Sequence, residues 1–234
     1  MRERGLGGLV PGNVPIPTRI FHITSIQNLP AIFGSGVLLS KNALGAANTL
    51  YANIAYATIQ ARRANQQVEC GPGGVIHDYV PFYFAPQSPM LYAVHTGTVP
   101  GCVGGQAEIV HFESSAQNIR AAGLGFAFFD MHSSVALSQA YDDLGQLGAV
   151  AWDVITEAPS NDGYCRYWQS DINKPKYARR KELRQAEFLV HRAVPLHLVT
   201  RVGVLNEQAR ERVDEIARSA GRALRVDVCS DWYY

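Results

Sequence analysis

Arg184-Gln185-Ala186-Glu187-Phe188-Leu189-Val190 is the stretch on which the reading of this chain turns. A basic run ends there, an apolar segment begins, and a carboxylate stands at the junction. As a strand, the segment puts Phe188 and Val190 on one face and Glu187 and Leu189 on the other. Such a carboxylate is either solvated at the rim of a sheet or held in a cleft for chemistry. Position alone favours the rim, because Glu is rarely buried without a partner.

The residues before it carry local charge. Lys174, Lys176, Arg179, Arg180, Lys181 and Arg184 crowd together, offset lightly by Glu182. The net charge of the whole chain is only +1. A global basic field is therefore excluded, and any nucleic-acid contact has to use a local patch. Residues 156–178 are polar, aromatic and poorly periodic. They read as a long loop with room for one helical turn, and loops of that length in compact domains are usually functional or disordered.

The chain has 234 residues, 47% of them hydrophobic, which is enough for a substantial core. We find no internal repeat and no linker. The expectation is one domain over residues 17–234, preceded by a flexible Gly- and Pro-rich lead-in over residues 1–16. That lead-in has no apolar block of the signal-peptide kind, and no apolar run reaches the ~18 residues of a membrane span. A cytoplasmic protein with no membrane partner is expected. Cys70, Cys102, Cys165 and Cys229 are far apart, with no CxxC, and the histidines have no ligand spacing. Free thiols and no metal are expected.

Most familiar motifs fail. Gly5-Leu6-Gly7-Gly8 follows no strand and opens no helix, so it is not a dinucleotide fingerprint. There is no GxSxG, Walker A or HExxH. Ser88, Asp130 and His132 could be arranged as a hydrolase triad, but nothing marks a nucleophile.

The coarse pattern is α+β. Strands are expected at 19–24, 78–84, 109–112, 187–191, 199–204 and 224–228, and residues 126–129 are apolar and aromatic. Pro81 argues that its strand is an edge or carries a bulge. Ser25 can cap a helix ending at Gly34 or Gly36. Helices are expected over 54–63, 133–144 and 207–220, while 88–94 reads equally as helix or strand. His22 and Thr24 share a face of the first strand. A buried His bonded to backbone is the plain alternative for His22. Asn28 stands where local capping could occupy it. Arg62 and Arg63 end a helix, a place that suits cations whether or not they bind anything.

His22-Ile23-Thr24 with Asn28-Leu29-Pro30, then Val80-Pro81-Phe82-Tyr83-Phe84-Ala85-Pro86-Gln87-Ser88-Pro89-Met90-Leu91-Tyr92, then Arg184 to Val190, then Trp232-Tyr233-Tyr234 resemble the DarT family. The likeness is colinear from about Pro17 to Tyr234. These are DNA ADP-ribosyltransferase toxins of DarTG toxin–antitoxin systems. The resemblance implies an ADP-ribosyltransferase fold, a split, mixed β core with surrounding helices and NAD in its cleft. It implies cleavage of NAD and attachment of ADP-ribose to a base of single-stranded DNA in a short sequence context. Overall similarity points to thymine, whereas a more distant branch acts on guanine.

By the same resemblance Glu187 is the catalytic carboxylate. It would stabilise the positive charge that develops as the nicotinamide–ribose bond breaks. The family arginine falls within Arg62 and Arg63, with Arg63 the preferred, catalytic member and a grip on the NAD diphosphate expected of the pair. His22, Thr24 and Asn28 would contact NAD, Tyr56 and Tyr83 would stack on nicotinamide or shape its pocket, and His132 would lie near the active site. Core packing is the rival account of both tyrosines. The 156–178 loop would present DNA. Tyr164, Tyr167 and Trp168 are expected to stack on bases, and Arg166, Lys174, Lys176, Arg179, Arg180 and Arg184 to meet phosphates. A loop packed on its own domain is the alternative. The implied partner is a macrodomain antitoxin of the DarG kind, and a monomer is expected. Two rival functions remain at this point: a transferase acting on protein or RNA, or a plain NAD glycohydrolase; and a non-catalytic nucleic-acid-binding module.

Overall fold

Chain alternation builds the centre of the molecule. In the computed structural model, which describes residues 13–100 and 102–234, strands run through the whole chain. The glycine run 5–8 and most of the expected lead-in lie outside the described residues. The strands are β1 (Arg19–Ser25), β2 (Val37–Leu39), β3 (Tyr79–Tyr83), β4 (Ile109–Ser115), β5 (Phe126–Phe129) and β6 (Ala140–Tyr141), followed by β7 (Ser160–Asn161), β8 (Tyr164–Cys165), β9 (Glu187–His191), β10 (Ala193–Pro195), β11 (Arg201–Val204) and β12 (Val226–Val228). Eight of them form one sheet in the order β12-β11-β4-β1-β3-β9-β5-β6. The β11–β12 pair is parallel and the other pairs are antiparallel, so the sheet is mixed.

The sheet opens at its middle. β1 pairs with β4 along its whole length, from Arg19 opposite Ser115 to Ser25 opposite Ile109. β3 pairs with β9 from Tyr79 opposite His191 to Tyr83 opposite Glu187. Between β1 and β3 the register gives a single pair, Phe21 opposite Tyr83. The two halves touch there and then diverge, which is the split core that the family resemblance implies.

Pro81 corrects one expectation. β3 is neither an edge strand nor bulged; it sits between β1 and β9. The Pro81 carbonyl accepts from His22 Nδ1 at 2.8 Å, so it points across the split toward β1. In an antiparallel strand a residue's nitrogen and carbonyl point the same way. The missing N–H of Pro81 therefore faces the gap, where no ladder bond is lost.

Alternation along β9 sorts its side chains as expected. Phe188 and Val190 enter the main core with Phe21, Phe82, Phe84 and Phe128. Leu189 joins a smaller cluster with Ile76, Tyr79 and Phe129 on the other side. Full burial of each large apolar side chain stabilises by roughly 1.5–3 kcal/mol. The C-terminal residues are also core: Trp232 and Tyr233 are buried. Tyr233 Oη donates to the Ile109 and Gly203 carbonyls.

Helices flank the sheet: α1 (Leu29–Ser35), α2 (Lys41–Ala46), α3 (Ala57–Arg63), α4 (Pro89–His95), α5 (Ala116–Ala121), α6 (Trp152–Ile155), α7 (Arg180–Leu183) and α8 (Glu207–Ser219). α1 ends at Gly36 with φ +77°, the left-handed C-cap that glycine takes without strain. Ser88 accepts from Leu91 N and Pro89 opens the next turn, which makes 88–94 helical rather than extended. α8 packs against α1, β11 and β12.

The helix expected over 133–144 does not form; the segment is turns followed by β6. Its polar side chains bind backbone instead. His132 Nδ1 accepts from Ser134 N, and Asp130 accepts from Gln139 N. Such local bonds compete with helix. Asp130 is thus the tie of this turn and does not cap a helix.

Candidate active site

Glu187 is 1% exposed, so the solvated-rim reading of the sequence is wrong. As the first residue of β9 it is fixed by strands on both sides, opposite Tyr83 on β3 and Phe129 on β5. Arg63, the last residue of α3, meets it with a two-pronged grip. Nη1 and Nη2 each donate to a carboxylate oxygen at 2.8 Å. Ser133 Oγ adds a donor to Oε1 at 3.2 Å. Burial pushes the Glu187 carboxyl toward neutrality, but the charge and hydrogen bonds of Arg63, helped by His132 and Ser133, win and hold it below the ordinary range. Glu187 is an ionised, oriented carboxylate.

The pair lies in a cleft of about 870 Å³ that opens where β1 and β3 part. His22, Thr24, Asn28, Tyr56, Tyr83 and His132, all singled out from the sequence, line it with Glu187 and Arg63. His22 gives its Nδ1–H to the Pro81 carbonyl, which leaves Nε2 as an acceptor. Burial lowers its pKa, so the ring is neutral. His132 is likewise lowered by burial, against the opposing pull of Glu187. Tyr83 is held protonated, first by burial and then by the Glu187 charge.

Asn28 does more than the local capping that its position suggests. It makes no side-chain cap bond. Its Nδ2 donates to Thr24 Oγ1 at 2.9 Å and to the Ala52 carbonyl at 3.0 Å, while Oδ1 accepts from Ala52 N at 2.6 Å. It ties the segment from Thr49 to Tyr56, which forms one wall of the cleft, to β1. Tyr56, 37% exposed, closes that segment's far end by donating to Thr98 Oγ1 at 2.7 Å. Tyr56 and Tyr83 both border the cleft, and Tyr83 also packs against the main core.

The residues expected to hold DNA divide sharply. Arg166 and Tyr167 are exposed, and Lys174 pairs only loosely with Asp171 at 3.4 Å. Trp168 lines the cleft, but its ring is 8% exposed and lies against Tyr92 and Lys181, so it is no open stacking platform. Tyr164 is buried beneath Arg19, edge-on to Phe21. Arg184 is buried and donates to the Ile155 and Gln87 carbonyls. Arg180 pairs with Glu157 and stacks on Tyr177. Lys176 also pairs with Glu157, and Arg179 with Glu182. Two members of the basic cluster, Arg180 and Arg184, are therefore internal and shape the loop, while Lys174, Lys176 and Lys181 stay exposed. Arg184, Arg180 and Tyr164 are corrected from DNA contacts to structural residues. Arg62 is exposed and is not part of the cleft lining, and the fork of Arg63 is engaged by Glu187, so neither offers an open bidentate grip to a diphosphate.

Sequence reasoning missed Ser133 and Lys41. Ser133 directly follows His132, which the resemblance sets near the active site, and that neighbour was the available signal. Lys41 had none. Among the described residues no group of three or more His, Cys, Asp or Glu side chains is gathered as a metal site would need. No described helix is long and apolar enough to cross a membrane.

A family model described as "ssDNA thymidine ADP-ribosyltransferase, DarT" matches residues 21–234. A protein of Thermus sp. (strain 2.9) named DNA ADP-ribosyl transferase is 40% identical over 222 residues, covering 94% of this chain and 98% of the relative. The solved structure of Thermus sp. 2.9 DarT in complex with ADP-ribosylated ssDNA superposes with a TM-score of 0.84 at 38% identity, over 96% of this chain and 100% of that one. Thermus sp. 2.9 DarT in complex with NAD+ gives a TM-score of 0.80 at 37% identity, over 95% and 100%.

Proposed function

Because the chain belongs to the DarT family of ssDNA thymidine ADP-ribosyltransferases, we propose the following division of labour in its cleft. ADP-ribose is transferred from NAD to thymine in single-stranded DNA. The bond between nicotinamide and ribose breaks, nicotinamide leaves with the electron pair, and positive charge develops on the sugar. Thymine in DNA has one ring nitrogen free, N3, which bonds to the anomeric carbon as its proton is lost.

Glu187 stabilises the developing charge. The single observation that carries this role is a fully buried carboxylate, ionised and locked by Arg63, bordering a cleft that admits a dinucleotide. A charge preorganised in a site of low dielectric acts without reorganising during the reaction. Arg63 and Ser133 fix its orientation. Neutral His22, with Nε2 open as an acceptor, suits a ribose hydroxyl, and Thr24 and Asn28 set the wall beside it. Tyr83 and Tyr56 flank the nicotinamide end.

On the acceptor side, exposed Arg166, Tyr167 and Lys174 meet the strand, and Trp168 forms the wall where loop and cleft join. The Thermus relative solved with ADP-ribosylated ssDNA supports this use of the cleft. The chain acts as the toxin of a toxin–antitoxin pair in the cytoplasm, as a monomer. Its partner is a macrodomain protein of the DarG kind that removes the modification. DNA as the substrate supports that location.

The test is to incubate the protein with NAD and a panel of single-stranded oligonucleotides varied one base at a time, read by mass spectrometry. Addition of one ADP-ribose only where thymine is present is the expected result. Free ADP-ribose with no oligonucleotide gain would overturn the DNA acceptor in favour of simple NAD hydrolysis.

A further inference from the structure

NAD carries two negative charges at its diphosphate, and the two arginines nominated for them are otherwise placed. Three Lys or Arg residues line the cleft among the described residues: Lys41, Arg63 and Lys181. Both terminal nitrogens of Arg63 are committed to Glu187. Lys181 is exposed and lies 5.8 Å from the Trp168 ring, on the acceptor-loop side. Lys41, like Lys181, has no carboxylate within ion-pair distance among the described residues, but it is held on α3 by Gln60 and not against the loop.

Its position is set by α3. Lys41 Nζ donates to Gln60 Oε1 at 2.9 Å, and the same oxygen lies 3.1 Å from His77 Nε2. Gln60 and Arg63 are three residues apart on α3, so they share a face. They are separated by about 4.5 Å of helical rise. The ammonium and the Arg63–Glu187 pair are thus both anchored on one face of α3 and line the same cleft.

The surroundings hold the cation in wait for an anion. Burial and the nearby Arg63 charge lower the Lys41 pKa. His77, pressed by burial and by both cations down to about 4, stays neutral and adds no competing positive charge. Gln60 orients the ammonium without neutralising it.

We propose that Lys41 is the diphosphate-binding cation of this enzyme, a positioning residue that sets NAD along the cleft so that its ribose meets Glu187. The proposal rests on the NAD reading given above. Its ligand class is a nucleoside diphosphate or its sugar ester.

Calorimetry of ADP-ribose, and separately of nicotinamide riboside, to the wild-type chain and to Lys41→Gln and Lys41→Arg tests it. Lys41→Gln should weaken ADP-ribose about ten- to a hundredfold, the scale of one charge-assisted hydrogen bond. Nicotinamide riboside, which has no phosphate, should bind Lys41→Gln and the wild type alike. Lys41→Arg should restore most of the loss, and in turnover the defect should fall on KM for NAD more than on kcat. Equal ADP-ribose affinity in wild type and Lys41→Gln would overturn the proposal. So would parallel loss of both ligands, which marks a collapsed cleft. Failure of the wild type to bind ADP-ribose at all would instead sink the NAD reading on which the proposal stands.

Discussion

Arg63 and Glu187, 124 residues apart in the chain, face each other through two N–H···O contacts of 2.8 Å, and both side chains are buried. The pair joins the last residue of α3 to the first residue of β9. Removing one member of a buried pair strands the other charge, at a cost of roughly 3–5 kcal/mol. This relationship gives the first prediction.

In Arg63→Ala the desolvation of Glu187 is no longer opposed, and its pKa rises. The wild-type carboxyl is depressed relative to the unfolded chain. Its contribution to stability is therefore present above the ordinary carboxylate pKa and is lost as pH falls through the lower folded value. The acid limb of transfer activity should lie at low pH in the wild type and move upward in Arg63→Ala. A limb that stayed in place would show that Arg63 does not set the charge of Glu187.

Glu187→Gln keeps the size but removes the charge and replaces one of the two acceptors facing Arg63 with a donor. Turnover should fall by at least about a hundred- to a thousandfold, the loss typical of a removed electrostatic stabiliser. Single-turnover assays of oligonucleotide modification would measure it, with NAD binding changed far less. Retained turnover would end the catalytic assignment.

Asn28→Ala should release the wall segment. The Ala52 amide donates to Asn28 Oδ1 at 2.6 Å and should exchange with deuterium faster once that acceptor is gone. KM for NAD should rise with it, because the Thr49–Tyr56 segment loses its tie to β1. Unchanged protection at Ala52 would show that the segment is held from elsewhere.

Gly203→Ala tests the C-terminal core. A Cβ at Gly203 would come within 2.1 Å of the Trp232 ring. Overpacking of this kind costs roughly 1–3 kcal/mol, sometimes more. Denaturant unfolding should show a lower midpoint with an unchanged slope. A wild-type midpoint would mean that Trp232 moves aside freely.

Arg166→Ala and Arg184→Ala should fail in different ways. Arg166 is exposed, so its loss should lower the salt slope of DNA binding by about one phosphate contact and leave the melting temperature alone. Arg184 holds two buried carbonyls, so its loss should destabilise the fold. The reverse pattern would return Arg184 to the DNA surface.

Strands, faces and helix ends were legible in the sequence where local rules act alone. Phe188 and Val190 turn inward because strand period is two. Gly36 ends α1 because left-handed backbone suits glycine. The segment after His132 was not legible, because its apolar spacing suggests helix while Asp130 and His132 spend their side chains on backbone. The basic run before Glu187 misled for a related reason. Sequence counts charges, yet Glu157, two backbone carbonyls and the Tyr177 ring, all brought in by folding, absorb Arg180, Arg184 and Lys176.

The sequence by itself determined the alternation of β9, the cap residues, the α+β character and the motifs that carry the family likeness. Each of these depends on neighbours within a few residues or on residue identity. Only the tertiary structure decided the state of Glu187. Whether a carboxylate is solvated or held charged in a cleft depends on what lies across from it, and Arg63 and Ser133 come from distant parts of the chain. Charge burial is a non-local energy: desolvation and pairing nearly cancel, and only the folded distances fix which one wins.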